Sequence, residues 1–179
     1  SQSGGPCSFS GAHCPPWGSG WCTALASIDG ITVYSNGGNT NNGCRDDYGC
    51  KFQCVELAQR YYAILHGTPS RWGVSYACQM WDNYPSGFER RANDGSSPQP
   101  EKGDLIIWGC SYYGAGHVAI AAGTPSGGTI RFYQQNTSNA IGSQSFSNGR
   151  IQDSYIVGWL HWTGGGTTCS APSLKEPGN

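Results

Sequence analysis

The chain has 179 residues, a formal net charge of −1 and only 12% Asp, Glu, Lys and Arg, without a long run of one sign. That suits one domain with its own core and excludes a nucleic-acid partner. No apolar run approaches the roughly 20 residues of a membrane helix, and no leader of charged, apolar and small residues stands at Ser1, so a soluble, already processed chain with no membrane partner is expected.

Nine cysteines beside 28 glycines and a single methionine give a secreted, extracellular profile. Nine is odd, so at most four disulfides close within the chain and one thiol is left over. Ser1 to Ser27, rich in Gly, Ser, Pro, Cys and Trp, reads as an irregular segment held by cross-links. Its Cys7, Cys14 and Cys22 are odd in number, so one of them bonds into the main domain or to another chain if all are oxidised. Trp17 and Trp21 are read as packing under this lid rather than as a sugar-stacking surface. Ile28 to Ser35, with Ile31, Thr32, Val33 and Tyr34, predicts a strand, followed by an Asn36-Gly37-Gly38-Asn39 turn. Cys44 and Cys50 then bracket the adjacent carboxylates Asp46 and Asp47. Without EF-hand spacing these read as a solvated pair on a disulfide-closed loop rather than a calcium site.

From Phe52 to His66 no Gly or Pro interrupts, and Val55, Ala58, Tyr62 and Leu65 recur at helical spacing with Leu57, Tyr61 and Ile64 beside them. The pattern predicts a helix with a broad apolar face, an i,i+4 pair of Glu56 and Arg60, and Gly67 as its C-cap. Cys54 falls in the first turn, where unpaired backbone N–H groups and the helix dipole favour an anion and lower a thiol pKa from about 8.5. By position it is either a nucleophile or one more half-cystine. The odd cysteine count makes it the natural thiol left over. Zinc is disfavoured, since no paired C-x-x-C accompanies Cys50-x-x-x-Cys54, and no cofactor is expected.

Val74 to Trp81 predicts a shorter helix ending near Pro85. Strands follow at Leu105–Trp108, His117–Ala122, Ile130–Gln135 and Tyr155–Trp162, with no internal repeat, which predicts an α+β domain with a mainly antiparallel sheet. His13, His66 and His161 have structural readings. His117 differs, because it opens a strand directly after Gly114-Ala115-Gly116, where a substrate backbone could come close. If the next strand is regular throughout, Gln134 and Asn136 share a face, and a hairpin would turn both amides towards His117 to fix its tautomer. Nucleophile, base and orienter would then be present. Asn136-Thr137-Ser138 is also an N-glycosylation pattern.

Phe52-Gln53-Cys54-Val55-Glu56-Leu57, with Tyr34-Ser35-Asn36-Gly37 upstream and Gly103-Asp104-Leu105-Ile106, Gly116-His117-Val118-Ala119-Ile120 and Gln134-Gln135-Asn136 downstream, resembles in order and interval the CHAP family of cysteine, histidine-dependent amidohydrolases and peptidases. The resemblance covers about residues 28–163, with 1–27 and 164–179 as flanking segments. Tyr34-Ser35-Asn36-Gly37 and Gln53-Cys54-Val55-Glu56 are further similar to the branch that includes glutathionylspermidine and trypanothione amidases. It implies a papain-like α+β fold, Cys54 as nucleophile, His117 as base and an orienting pair in Gln134 and Asn136. Gln53 is expected to assist the oxyanion. The family often has Glu where this chain has Gln134, and a neutral amide cannot stabilise imidazolium by full charge. The expected activity is a secreted, monomeric enzyme cleaving peptidoglycan amide bonds, as an N-acetylmuramoyl-L-alanine amidase or endopeptidase. The alternatives are an amidase of a small glutathione-type conjugate and a non-catalytic cell-wall-binding module.

Overall fold

A computed structural model describes residues 22–37, 42–46 and 48–164. The N-terminal segment with Trp17 and Trp21, Gly38-Asn39, the Asp46 and Asp47 carboxylates and the tail after Gly164 lie outside what is described. The fold is α+β, with one α-helix and antiparallel strands among the described residues. The described residues form two compact units. One holds residues up to Arg71 and the segment Gln135–Ala140; the other holds Trp72–Gln134 and 141–164. No helix among the described residues is long and apolar enough to cross a membrane.

In the first unit β1 (Ala24–Ile28) and β2 (Ile31–Tyr34) make an antiparallel hairpin. Its turn, Asp29-Gly30, has φ of 52° and 79°, the positive values that match strand twist in a tight hairpin. Thus Ala24 to Ser27, which composition assigns to the irregular segment, are strand residues. A second two-stranded pair, β3 (Asn42–Asp46) and β4 (Gly49–Lys51), leads to α1 (Cys54–His66). The helix ends where expected, on Gly67 at φ 74°, whose N–H donates to the Ala63 carbonyl. From Glu56 in the first turn onward burial takes in the polar Glu56, Gln59 and Arg60 as well as the apolar residues.

The second unit is a seven-stranded antiparallel sheet in the order β10-β9-β8-β7-β6-β11-β5. In chain order its strands are β5 (Phe88–Ala92), β6 (Leu105–Trp108), β7 (His117–Ala121), β8 (Thr129–Tyr133), β9 (Ile141–Ser147), β10 (Arg150–Ile151) and β11 (Ile156–Trp162). Strands β6 and β7 are buried along their whole length. Ile106, Trp108, Ala119, Ala121, Ile130, Phe132 and Trp159 form the core on one face. The helix expected from Val74 is only a 3-10 turn, Ala77–Trp81. Tyr76 before it is extended, and the Gln79 side chain caps it by accepting from the Ser75 and Tyr76 N–H groups. Cys78 in this turn is disulfide-bonded to Cys110.

Candidate active site

In the first unit every residue that leads into Cys54 is held. The Phe52 N–H donates to Asn36 Oδ1 at 2.8 Å, and its ring, fully buried, lies 4.9 Å from that of Tyr34. The Gln53 N–H donates to the Cys50 carbonyl at 2.8 Å. The Gln53 carbonyl accepts from Gln135 Nε2 at 2.9 Å, and its Oε1 accepts from Asn136 Nδ2 at 2.7 Å. Cys54 follows as the first helical residue, half-buried. Among the described residues Cys22, Cys50, Cys78 and Cys110 are in disulfides while Cys54 is a thiol.

Gln135 is the hub of this unit, 1% exposed. Its Oε1 accepts from the Tyr34 N–H at 2.9 Å and Arg60 Nη2 at 3.1 Å; its Nε2 donates to the Gln53 carbonyl and to Glu56 Oε1, each at 2.9 Å. Both lone pairs and both protons of the amide are therefore used. Arg60 also holds Glu56 at 2.8 Å and the Thr32 carbonyl at 2.8 Å, with its guanidinium over the Tyr34 ring. The Glu56–Arg60 pair that the spacing predicts is thus formed as part of a buried network. Sequence reasoning missed Gln135 because strand alternation placed it on the face away from Gln134 and Asn136.

The expectation for Asn136 needs correction. Strand β8 ends at Tyr133, and Asn136 turns at φ 63°, so the period of two does not carry through to it. Its Oδ1 accepts from Asn36 Nδ2 at 2.7 Å while its Nδ2 donates to Gln53. The amide is engaged with the segment before Cys54. Nδ2 is also the atom a glycan would take in the Asn136-Thr137-Ser138 pattern.

In the second unit the expected hairpin is present: Ile120 and Ala121 of β7 pair with Tyr133 and Phe132 of β8. Counting back along that register puts His117, Ala119 and Gln134 on one face with Phe132. There His117, 9% exposed, shares a 2.9 Å hydrogen bond through Nε2 with Gln134 Oε1. A carbonyl oxygen only accepts, so with Gln134 Oε1 facing it Nε2 is the donor, which in the neutral imidazole leaves the lone pair on Nδ1. On the other side, Trp108 of β6, paired with His117, sets its ring edge-on at 5.0 Å and is pinned by donating Nε1 to Asp153 Oδ2. The loop before His117 is fixed too. The Cys78 N–H donates to the Ala115 carbonyl, and Gly116 has φ 71° with no room for a side chain, since a Cβ would lie 2.3 Å from the Trp108 carbonyl oxygen. The chain passes from one unit to the other between Gln134 and Gln135.

Asp104 of the Gly103-Asp104-Leu105-Ile106 stretch is not at this end of the sheet. It is 1% exposed, accepts from the Glu101 N–H and bonds His161 Nδ1 at 2.7 Å. Burial raises its carboxyl pKa to about 6, against the opposing pull of those hydrogen bonds. No group of three or more His, Cys, Asp or Glu able to hold a metal occurs among the described residues.

The family model described as CHAP domain matches residues 43–136, more than half of the chain, and spans Gln53, Cys54, His117, Gln134 and Asn136. The chain belongs to the CHAP domain family. Among solved structures it is similar to the crystal structure of a wild-type endolysin, LysIME-EF1, at 23% identity and a TM-score of 0.47, over 72% of this chain. The chain spans 59% of that endolysin's length. No curated protein matches.

Proposed function

We propose that the chain is a secreted thiol hydrolase of bacterial peptidoglycan, cleaving amide bonds with Cys54 as nucleophile, His117 as base and Gln134 as its orienter. Membership of the CHAP family supports this reading, and the observation that carries it is the His117–Gln134 hydrogen bond, which selects the tautomer whose Nδ1 can take a thiol proton. The Cys54 thiolate attacks the scissile carbonyl carbon. The C–N bond breaks as the imidazolium returns its proton to the leaving amine, and water then hydrolyses the thioester. Backbone N–H groups at the start of α1 and the Gln53 side chain hold the oxyanion, with Asn136 acting by fixing Gln53 rather than His117. The enzyme works as a monomer without a cofactor, residues 28–163 forming the catalytic domain. A non-catalytic wall-binding module would fit a Cys54 locked in a disulfide, whereas Cys54 is a thiol.

Mass spectrometry of purified peptidoglycan before and after digestion tests the reading. Wild type should release fragments with new amino and carboxyl ends and Cys54→Ala none. New reducing sugar ends, or equal release by the alanine variant, would sink it.

A further inference from the structure

A run of aromatic rings leads outward from His117 and has no part in the chemistry above. Trp108 packs on His117; the Tyr112 ring lies 6.3 Å from Trp108, and Tyr113 and Tyr155 stand edge-on to Tyr112 at 4.6 and 5.3 Å. Exposure rises along it, from 3% at Trp108 to 46% at Tyr155 and 87% at Tyr113. Folding gains nothing from a tyrosine left so far in water. Tyr113 also sits at φ 54°, a conformation that costs free energy for any residue with a Cβ.

The loop is nevertheless fixed. The Gly109 N–H donates to the Tyr155 carbonyl at 2.7 Å, the Gly116 N–H to the Tyr112 carbonyl at 2.8 Å, and Cys110 is bonded to Cys78. The nearby carboxylate, Asp153, already accepts from Trp108 Nε1, Gln144 Nε2 and the Tyr155 N–H. What the surface offers is flat, electrically neutral ring faces with hydroxyl tips. Its complement is a ligand with an apolar C–H face edged by hydroxyl and amide groups.

We propose that Tyr113, with Tyr112 and Tyr155, is a stacking platform for an N-acetylated pyranose ring, a subsite for the glycan strand of the substrate. This rests on the peptidoglycan reading and extends it from the scissile amide to the sugar beside it. The test is isothermal titration of the full chain with an N-acetylglucosamine tetramer, which carries no stem peptide. Wild type should bind saturably, Tyr113→Ala should weaken binding by about three- to tenfold, and Tyr113→Phe should stay close to wild type because the ring face, not the hydroxyl, makes the contact. No binding by wild type, or equal binding by the alanine variant, overturns the proposal. So does Tyr113-dependent binding of an isolated stem peptide without binding of the sugar, or Tyr113-dependent self-association without it. The tetramer assay does not depend on hydrolysis. Sugar bound through Tyr113 by a protein that releases no peptide would refute the hydrolase reading alone, and hydrolysis without sugar binding would refute the platform alone.

Discussion

Gln134, Gln135 and Asn136 are three consecutive amides set to different tasks: Gln134 bonds His117, Gln135 ties the Glu56–Arg60 pair to the Gln53 carbonyl, and Asn136 holds the Gln53 side chain. Gln134 stands where the family often has Glu, which sets up a prediction of definite sign. A carboxylate next to Nε2 favours the charged imidazole and raises its pKa. In a thiolate–imidazolium mechanism the alkaline limb of the rate profile marks loss of that charge. Gln134→Glu should therefore move the alkaline limb to higher pH, and Gln134→Ala should lower kcat more than it raises KM. An unmoved limb in the glutamate variant would mean that Gln134 does not govern His117. The sequence made Gln134 legible because alternation holds up to that residue. It misled at Asn136 because the left-handed turn there is a single backbone event with no periodic signature. Gln135 was hidden for the same reason.

At the scale of elements, α1 and the β6, β7, β8 and β11 strands were readable in outline from apolar periodicity. Strands β5, β9 and β10 were not: β5 is Phe-Glu-Arg-Arg-Ala at one edge, β10 has two residues at the other, and β9 alternates only between exposed and half-buried positions. Edge strands carry little core and so little pattern. The loop between β6 and β7 sets the position of His117, and its glycines separate two demands. Gly114, at φ 73°, has nothing within 4 Å of a built Cβ, whereas at Gly116 a Cβ meets Trp108 backbone and the Cys78 side chain at 2.3 and 2.6 Å. Gly114→Ala should cost about 1–2 kcal/mol from backbone strain alone. Gly116→Ala should cost on the order of 4 kcal/mol or more and reduce hydrolysis even below its melting temperature, because the strand start carrying His117 must shift. Denaturant titrations of both variants check this, and equal midpoints would show that the loop is not held as described.

At the scale of the molecule, a helix followed by an unbroken run of strands, with no alternation of the two, was enough to place the chain in the α+β class. It gave no sign of the buried Asp104–His161 pair, because an acid four residues before a Trp and a histidine between Leu and Trp look ordinary until β6 and β11 are paired. Burial raises the folded-state pKa of Asp104 from 3.8 to about 6. A carboxyl raised in this way binds its proton more tightly in the folded state, so its stabilising contribution is full below pH 3.8 and is lost as pH rises to about 6. Asp104→Asn, which cannot titrate, should flatten the dependence of melting temperature on pH across that window. An unchanged slope would place the titration elsewhere. The central claim, that the thiol of Cys54 does the chemistry, is most directly tested by alkylating the native protein without reductant across a pH series, mapping the adduct and measuring hydrolysis of peptidoglycan on the same samples. The adduct should fall on Cys54, form rapidly well below the ordinary thiol pKa of about 8.5, and remove activity in proportion to its extent. Full hydrolysis by protein stoichiometrically alkylated at Cys54 would contradict it.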